Sequence, residues 1–107
     1  MLVKPKITII NYYILLSVIE PAHGYLIMKR IEELTQGKYK MSCGTLYGAL
    51  EKLTQEGMIT TDGVVESRRK VYSITQKGID LIKEEKDALE NLYLLTQERL
   101  NEYHENA

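Results

Sequence analysis

Arg68, Arg69 and Lys70 are three consecutive cations, followed directly by the β-branched and aromatic run Val71-Tyr72-Ser73-Ile74. Upstream, Ser42-Cys43-Gly44-Thr45-Leu46-Tyr47 gathers hydroxyls, a thiol and a glycine into what reads as one helical turn. Cations beside hydroxyl donors and a helix start suit a polyanion: they neutralise and hydrogen-bond phosphate oxygens, and a helix N-terminus can also meet base edges. Three cations in a row are ordinarily a solvated loop. A hairpin that follows an amphipathic helix gives them a direction. Lys38 and Lys40, just before that helix, are weaker phosphate candidates. Tyr25 is a candidate either for the nucleic-acid backbone or for inward packing.

The elements that must hold these residues are legible from local rules. The Ser42 hydroxyl can accept from a first-turn amide and so cap a helix. Leu46, Ala49, Leu50 and Leu53 recur at three- and four-residue spacing, on one face. Gly57 stands where a helix stops with a left-handed residue. Met58–Thr61 reads as a strand, Asp62-Gly63 as a turn signal with a loop that can run to Arg68, and Val71–Ile74 as the return strand. Thr75 can cap the next helix. Upstream, a helix over about 7–19 is apolar on most sides and should be largely buried. A second helix spans about 23–36, with Tyr25, Ile27, Met28, Ile31 and Leu34 inward and Gly37 closing it. Two helices, a short link, a recognition helix and a cationic hairpin make a winged helix-turn-helix, mainly α with a two-stranded wing. Its natural partner is double-stranded operator DNA.

The same residues resemble the PadR family of bacterial transcriptional regulators. The likeness is carried by His23-Gly24-Tyr25, by Gly44-Thr45-Leu46-Tyr47, by Leu50 and Leu53 leading to Gly57-Met58-Ile59, and by Arg69-Lys70-Val71-Tyr72 with Ile74-Thr75 and Gly78. Order and spacing hold from about residue 8 to residue 80. The short remainder is similar to the smaller members, with a single C-terminal dimerisation helix. The resemblance implies a repressor and makes Thr45 and Tyr47 backbone or base contacts, with Ser42, Cys43 and Gly44 beside them. Ser42 serves equally as a plain cap, and Tyr47 as a packing residue. Cys43 occupies a variable position and is read as a neutral groove-side residue. Gly48 stands where many relatives carry proline.

The chain has 107 residues, net charge −1, 44% hydrophobic and 27% charged residues. That suits one soluble domain with a small core. The charge is unevenly distributed: residues 1–77 hold 11 Lys/Arg against 7 Asp/Glu, whereas residues 78–107 hold 3 against 8. An acidic C-terminal helix is repelled by phosphate and should lie away from it. The division is a winged-helix unit over 1–77 and a dimerisation helix over 78–107, forming one compact structure. A lone cysteine, and no uncharged apolar run of about 18 residues, fit a cytoplasmic protein. No phosphate loop, nucleophile motif or metal-spaced Cys/His set occurs, so catalysis, metals and cofactors are not expected.

The last helix should run from about Gln76 to Tyr103. Ile79, Ile82, Leu89, Tyr93, Thr96, Leu100 and Tyr103 form one row, and Leu81, Ala88, Leu92 and Leu95 a second. The stripe is wider than a lone surface helix needs. Pairing with a second copy through Leu89, Leu92, Tyr93, Leu95, Thr96 and Leu100 covers it, while an intramolecular lid is the alternative. A pocket for a hydrophobic or aromatic effector is conceivable where Asn11, Tyr12 and Leu15 meet Leu89, Tyr93 and Thr96. The competing functional reading is a protein-interaction module that has ceased to read DNA.

Overall fold

The computed structural model describes residues 7–61, 65–66 and 69–106. Along the chain run α1 (Ile9–Ser17), β1 (Ala22–His23), α2 (Gly24–Leu34), α3 (Cys43–Gln55), β2 (Ile59–Thr60), β3 (Val65–Glu66), β4 (Arg69–Ile74) and α4 (Gln76–Asn106). The architecture is the expected mainly helical winged helix with a long C-terminal helix. β4 is the hub of the sheet. It pairs antiparallel with β1 (Ala22↔Tyr72, His23↔Val71), with β2 (Ile59↔Ile74, Thr60↔Ser73) and with β3 (Val65↔Lys70, Glu66↔Arg69). β1 is an addition to the expected two-stranded wing. Two residues carry no periodicity, and only their pairing with β4 makes them a strand. The turn expected at Asp62-Gly63 lies outside the described residues.

The core forms where α1, α2, α3 and the sheet converge. Ile14, Leu15, Val18, Ile27, Ile31, Leu46, Leu50, Leu53 and Ile59 are sealed from solvent. The α3 stripe behaves as its spacing predicts. The inward face assigned to α2 needs correction: Ile27 and Ile31 are buried, but Tyr25 and Leu34 are 55% and 61% exposed. Tyr25 lies two positions before Ile27, well off the Ile27–Ile31 stripe. Leu34 is in phase with that stripe, but it sits in the last turn, beyond the core, beside Leu16 and Ile19 at an open groove.

Helix ends are fixed by specific groups. Thr8 caps α1 by accepting from Asn11 N–H at 3.2 Å, which sets the start two residues later than periodicity alone suggests. Arg30 closes its far end, its Nη1 donating to the Ser17 and Glu20 carbonyls at 2.8 and 2.7 Å. α3 ends in a Schellman motif: Met58 N–H bonds Leu53 O, Gly57 N–H bonds Thr54 O, and Gly57 is left-handed at φ +79°. α2 closes in the same way, but the single closing residue expected at Gly37 becomes two. Gln36 (φ 54°) takes the first left-handed position and Gly37 the next. A non-glycine residue in that conformation costs about 1–2 kcal/mol. Gln36→Gly is therefore expected to stabilise the domain by roughly 0.5–1 kcal/mol after glycine's unfolded-state entropy is counted. The midpoint of urea unfolding checks this, and an unchanged or lower midpoint would refute it.

α4 is locked at its start and bare afterwards. Thr75 accepts from Gly78 N–H at 3.2 Å, and its hydroxyl lies 2.6 and 3.0 Å from the Gly57 and Met58 carbonyls. Lys77 Nζ donates to Glu56 O at 2.9 Å, joining the end of α3 to the start of α4. From Lys86 to Glu105 every α4 residue is exposed. The long helix draws the chain out to 60 × 31 × 22 Å.

Candidate nucleic-acid interface

The first turn of α3 is built around its cap. Ser42 Oγ accepts from Thr45 N–H at 3.2 Å, and its own hydroxyl donates to Thr45 Oγ1 at 3.0 Å. The two hydroxyls organise each other and keep lone pairs for an incoming donor. Ser42, Cys43, Gly44 and Thr45 are exposed, while Leu46 turns into the core. A Cβ added at Gly44 or Gly48 would meet nothing within 4 Å, so this helix presents bare backbone along one edge.

Tyr47 is packed on one side and open on the other. It is 49% exposed, yet its ring lies against the first residue of α2. A Cβ built on Gly24 would fall 2.5 Å from Tyr47 Oη and 2.8 Å from Cζ, so a larger residue there would displace the ring from this position. The adjacent His23 caps α2, its Nδ1 accepting from Leu26 N–H at 3.3 Å. His23 stacks on Tyr25 with ring centroids 6.5 Å apart. The Arg69 guanidinium lies over the Tyr25 ring, 5.9 Å from its centroid, within cation–π range. Tyr25 thus faces the wing cation. The start of α2, the first turns of α3 and the start of β4 meet in one place.

Lys70 lines the same junction. Arg68 lies outside the described residues. Lys40 is 3.8 Å from Glu32, with both side chains well exposed, so the pair contributes little and leaves Lys40 free to exchange partners. Sequence reasoning missed Tyr72 and Gly24 as site residues. For Tyr72 the signal was present: strand alternation places it on the same face as Lys70. For Gly24 only the tertiary contact with Tyr47 reveals the need.

Leu89, Leu92, Tyr93, Leu95 and Leu100 are exposed along α4, and Thr96 Oγ1 donates to its own helix at Leu92 O. Of the residues assigned to an effector pocket, Asn11 and Tyr12 are half-buried at the surface of α1. Tyr12 Oη lies 3.5 Å from Ile82 O. Burial raises its phenol pKa, with Glu85 a second cause. Leu15 requires correction: it is sealed in the core and offers a ligand no surface in this protomer. No three His, Cys, Asp or Glu residues among those described group as a metal site.

This arrangement defines a winged helix-turn-helix. The sequence profile of the transcriptional regulator PadR-like family matches residues 14–84, and the chain belongs to that family of regulators. The transcriptional regulator YqjI of Escherichia coli is 34% identical over 71 residues, covering 66% of this chain and 34% of YqjI. Rv3488 of Mycobacterium tuberculosis, also a transcriptional regulator, is 38% identical over 63 residues, 57% of this chain and 59% of its own. The chain therefore spans about a third of YqjI. Among solved structures, a transcriptional regulator from Clostridium thermocellum superposes with a TM-score of 0.70 at 33% identity, covering 87% of both chains. A PadR-like regulator from Bacillus cereus has a TM-score of 0.73 over 86% of this chain and 91% of its own. At 23% identity that likeness speaks to the fold alone. The family consists of regulators rather than enzymes. No described helix is long and apolar enough to cross a membrane.

Proposed function

We propose that this protein is a homodimeric, sequence-specific DNA-binding transcriptional repressor. The observation that carries the reading is the convergence of Tyr47, Gly24, Arg69 and Lys70 on one junction while the acidic α4 leads elsewhere. Ser42, Cys43, Gly44, Thr45 and Tyr47 enter the major groove at the front of α3. The wing cations and Lys40 hold the backbone on either side. Two copies joined through α4 present two recognition helices to a pseudo-palindromic operator with half-sites about 34 Å apart. A flat apolar effector at the dimer seam, against Tyr12 and Tyr93, regulates by favouring one spacing of those helices over another.

The wing supplies affinity more than sequence choice, because phosphates are the same at every site. Replacing Arg69 and Lys70 together with Ala is expected to weaken binding to all duplexes alike. The slope of log affinity against log salt should flatten by about 0.9 for each phosphate that is no longer neutralised. A fluorescence-anisotropy titration across salt concentrations reads both quantities. Unchanged slope and affinity would remove the wing from the contact surface. A wild-type chain that binds no duplex would favour a protein-interaction role instead.

A further inference from the structure

Two clefts flank Tyr47, and both are lined by Lys70 and Tyr72. They differ in charge. The one towards α3 and β2 includes the carboxylate of Glu51. The one towards α2, about 340 Å³, is lined by Gly24, Tyr47, Arg69, Lys70 and Tyr72. Every side chain in that second lining is a hydrogen-bond donor, two are cations and none is acidic. It opens at the first residue of α2, an 11-residue helix whose N-terminal partial charge favours an anion.

Tyr72 is the unexpected member. The residue is only 8% exposed and its ring belongs to the core. Its hydroxyl makes no hydrogen bond to any described residue. No sealed side-chain oxygen or nitrogen among the described residues lacks a partner, so this oxygen is not sealed, and the residue lines both clefts. A phenol anchored by its ring beside Lys70 and Arg69 can donate to an anion held in the cationic cleft. Burial raises its pKa, with Tyr47 a second cause, so the proton is retained and can be donated.

We infer that this cleft is a seat for one backbone phosphate of duplex DNA, with the Tyr72 and Tyr47 hydroxyls donating to its oxygens beside Lys70 and Arg69. The inference rests on the DNA-binding reading above and adds to it a contact from inside the sheet. Lys70 and Tyr72 reach the phosphate from one face of β4, two residues apart. Arg69 is steadied for the task by the Tyr25 ring beneath it. The seat fixes the angle of the wing against α3 whenever a phosphate occupies it.

The test uses the full chain and a labelled duplex of random sequence, since a phosphate contact ignores sequence. Tyr72→Phe removes one oxygen and keeps the ring in the core; circular dichroism and the unfolding midpoint verify the fold. Affinity should fall roughly ten-fold at every salt concentration, as expected when a hydrogen bond to a charged group is removed. The salt slope should stay unchanged, because the net charge is the same. Tyr47→Phe should repeat the effect. Lys70→Gln should instead flatten the slope by about 0.9. A folded Tyr72→Phe chain that binds the duplex like wild type would overturn the seat while leaving DNA binding intact. A wild-type chain that binds no duplex would overturn the DNA-binding reading and the seat with it. Inorganic phosphate distinguishes the remaining source. If it shifts the Gly24 amide resonance while Tyr72→Phe leaves duplex binding untouched, the cleft holds a free anion and the inference is wrong.

Discussion

Ending the chain after Asp87 should turn the proposed dimer into monomers or aggregates, with the winged-helix unit still folded. Leu89, Leu92, Tyr93, Leu95 and Leu100 are each at least half exposed on the protomer. A contiguous exposed apolar stripe of that kind is what the proposed α4 interface would cover. The truncation deletes all five together. At about 1.5–3 kcal/mol for each fully buried large apolar side chain, the loss exceeds what a small dimer can spare. The globular part should survive, because the described contacts of α4 with the rest of the protomer come from its first turns. These are the Thr75–Gly78 cap, the Lys77–Glu56 link and the approach of Tyr12 to Ile82. Sedimentation velocity decides the matter. A truncated chain that still sediments as a dimer would put the interface elsewhere, with the exposed Ile19–Leu34 groove the next place to look. Operator affinity should collapse with the dimer, since one half-site retains only part of the binding free energy.

The second large effect is expected at Gly78. This residue is buried where α4 leaves the sheet. A Cβ there would lie 2.4 Å from Met58 O and 2.7 Å from Ile74 Cγ1. Met58 O is backbone, and it already accepts from Thr75 N–H at 3.0 Å, so it cannot move without breaking the junction. Gly78→Ala should therefore cost about 2–3 kcal/mol, the range of overpacking in a well-packed core. For a domain of this size that corresponds to a fall in melting temperature of roughly 10–20 °C. Gly44→Ala and Gly48→Ala are the matched controls. Their added Cβ atoms meet nothing, and alanine should favour the helix by roughly 0.5–1 kcal/mol. Thermal unfolding of the three variants side by side tests the assignment. A Gly78→Ala chain as stable as wild type would show that the junction is looser than its distances imply.

Much of the molecule was legible before any fold was seen, for local reasons. Ser42 caps α3 because its hydroxyl is three residues from an amide it can reach. Leu46, Leu50 and Leu53 are buried because the helical repeat puts them on one side. Gly57 ends α3 because the closing residue must be left-handed. Thr75 starts α4 by the same logic as Ser42. Each of these features is determined within a few residues, so the sequence determines it by itself. The charge division between residues 1–77 and 78–107 is likewise a property of composition.

What the tertiary structure decided is of another kind. Whether Leu34 points inward depends on where the core ends, and periodicity carries no information about that. Ala22-His23 is a strand only because β4 lies beside it. Leu15 is closed to a ligand because it lies inside the core cluster that the helices share. Gly24 lies under the ring of Tyr47, distant along the chain, and a larger residue there would push that ring aside. Tyr72 reads as one more aromatic residue in a strand until the fold places it in the lining of the clefts beside Lys70 and Tyr47. In each case the deciding group is remote in sequence and near in space. Local propensity set the helices and most of their ends, and only long-range packing determined which side chains the assembled surface exposes.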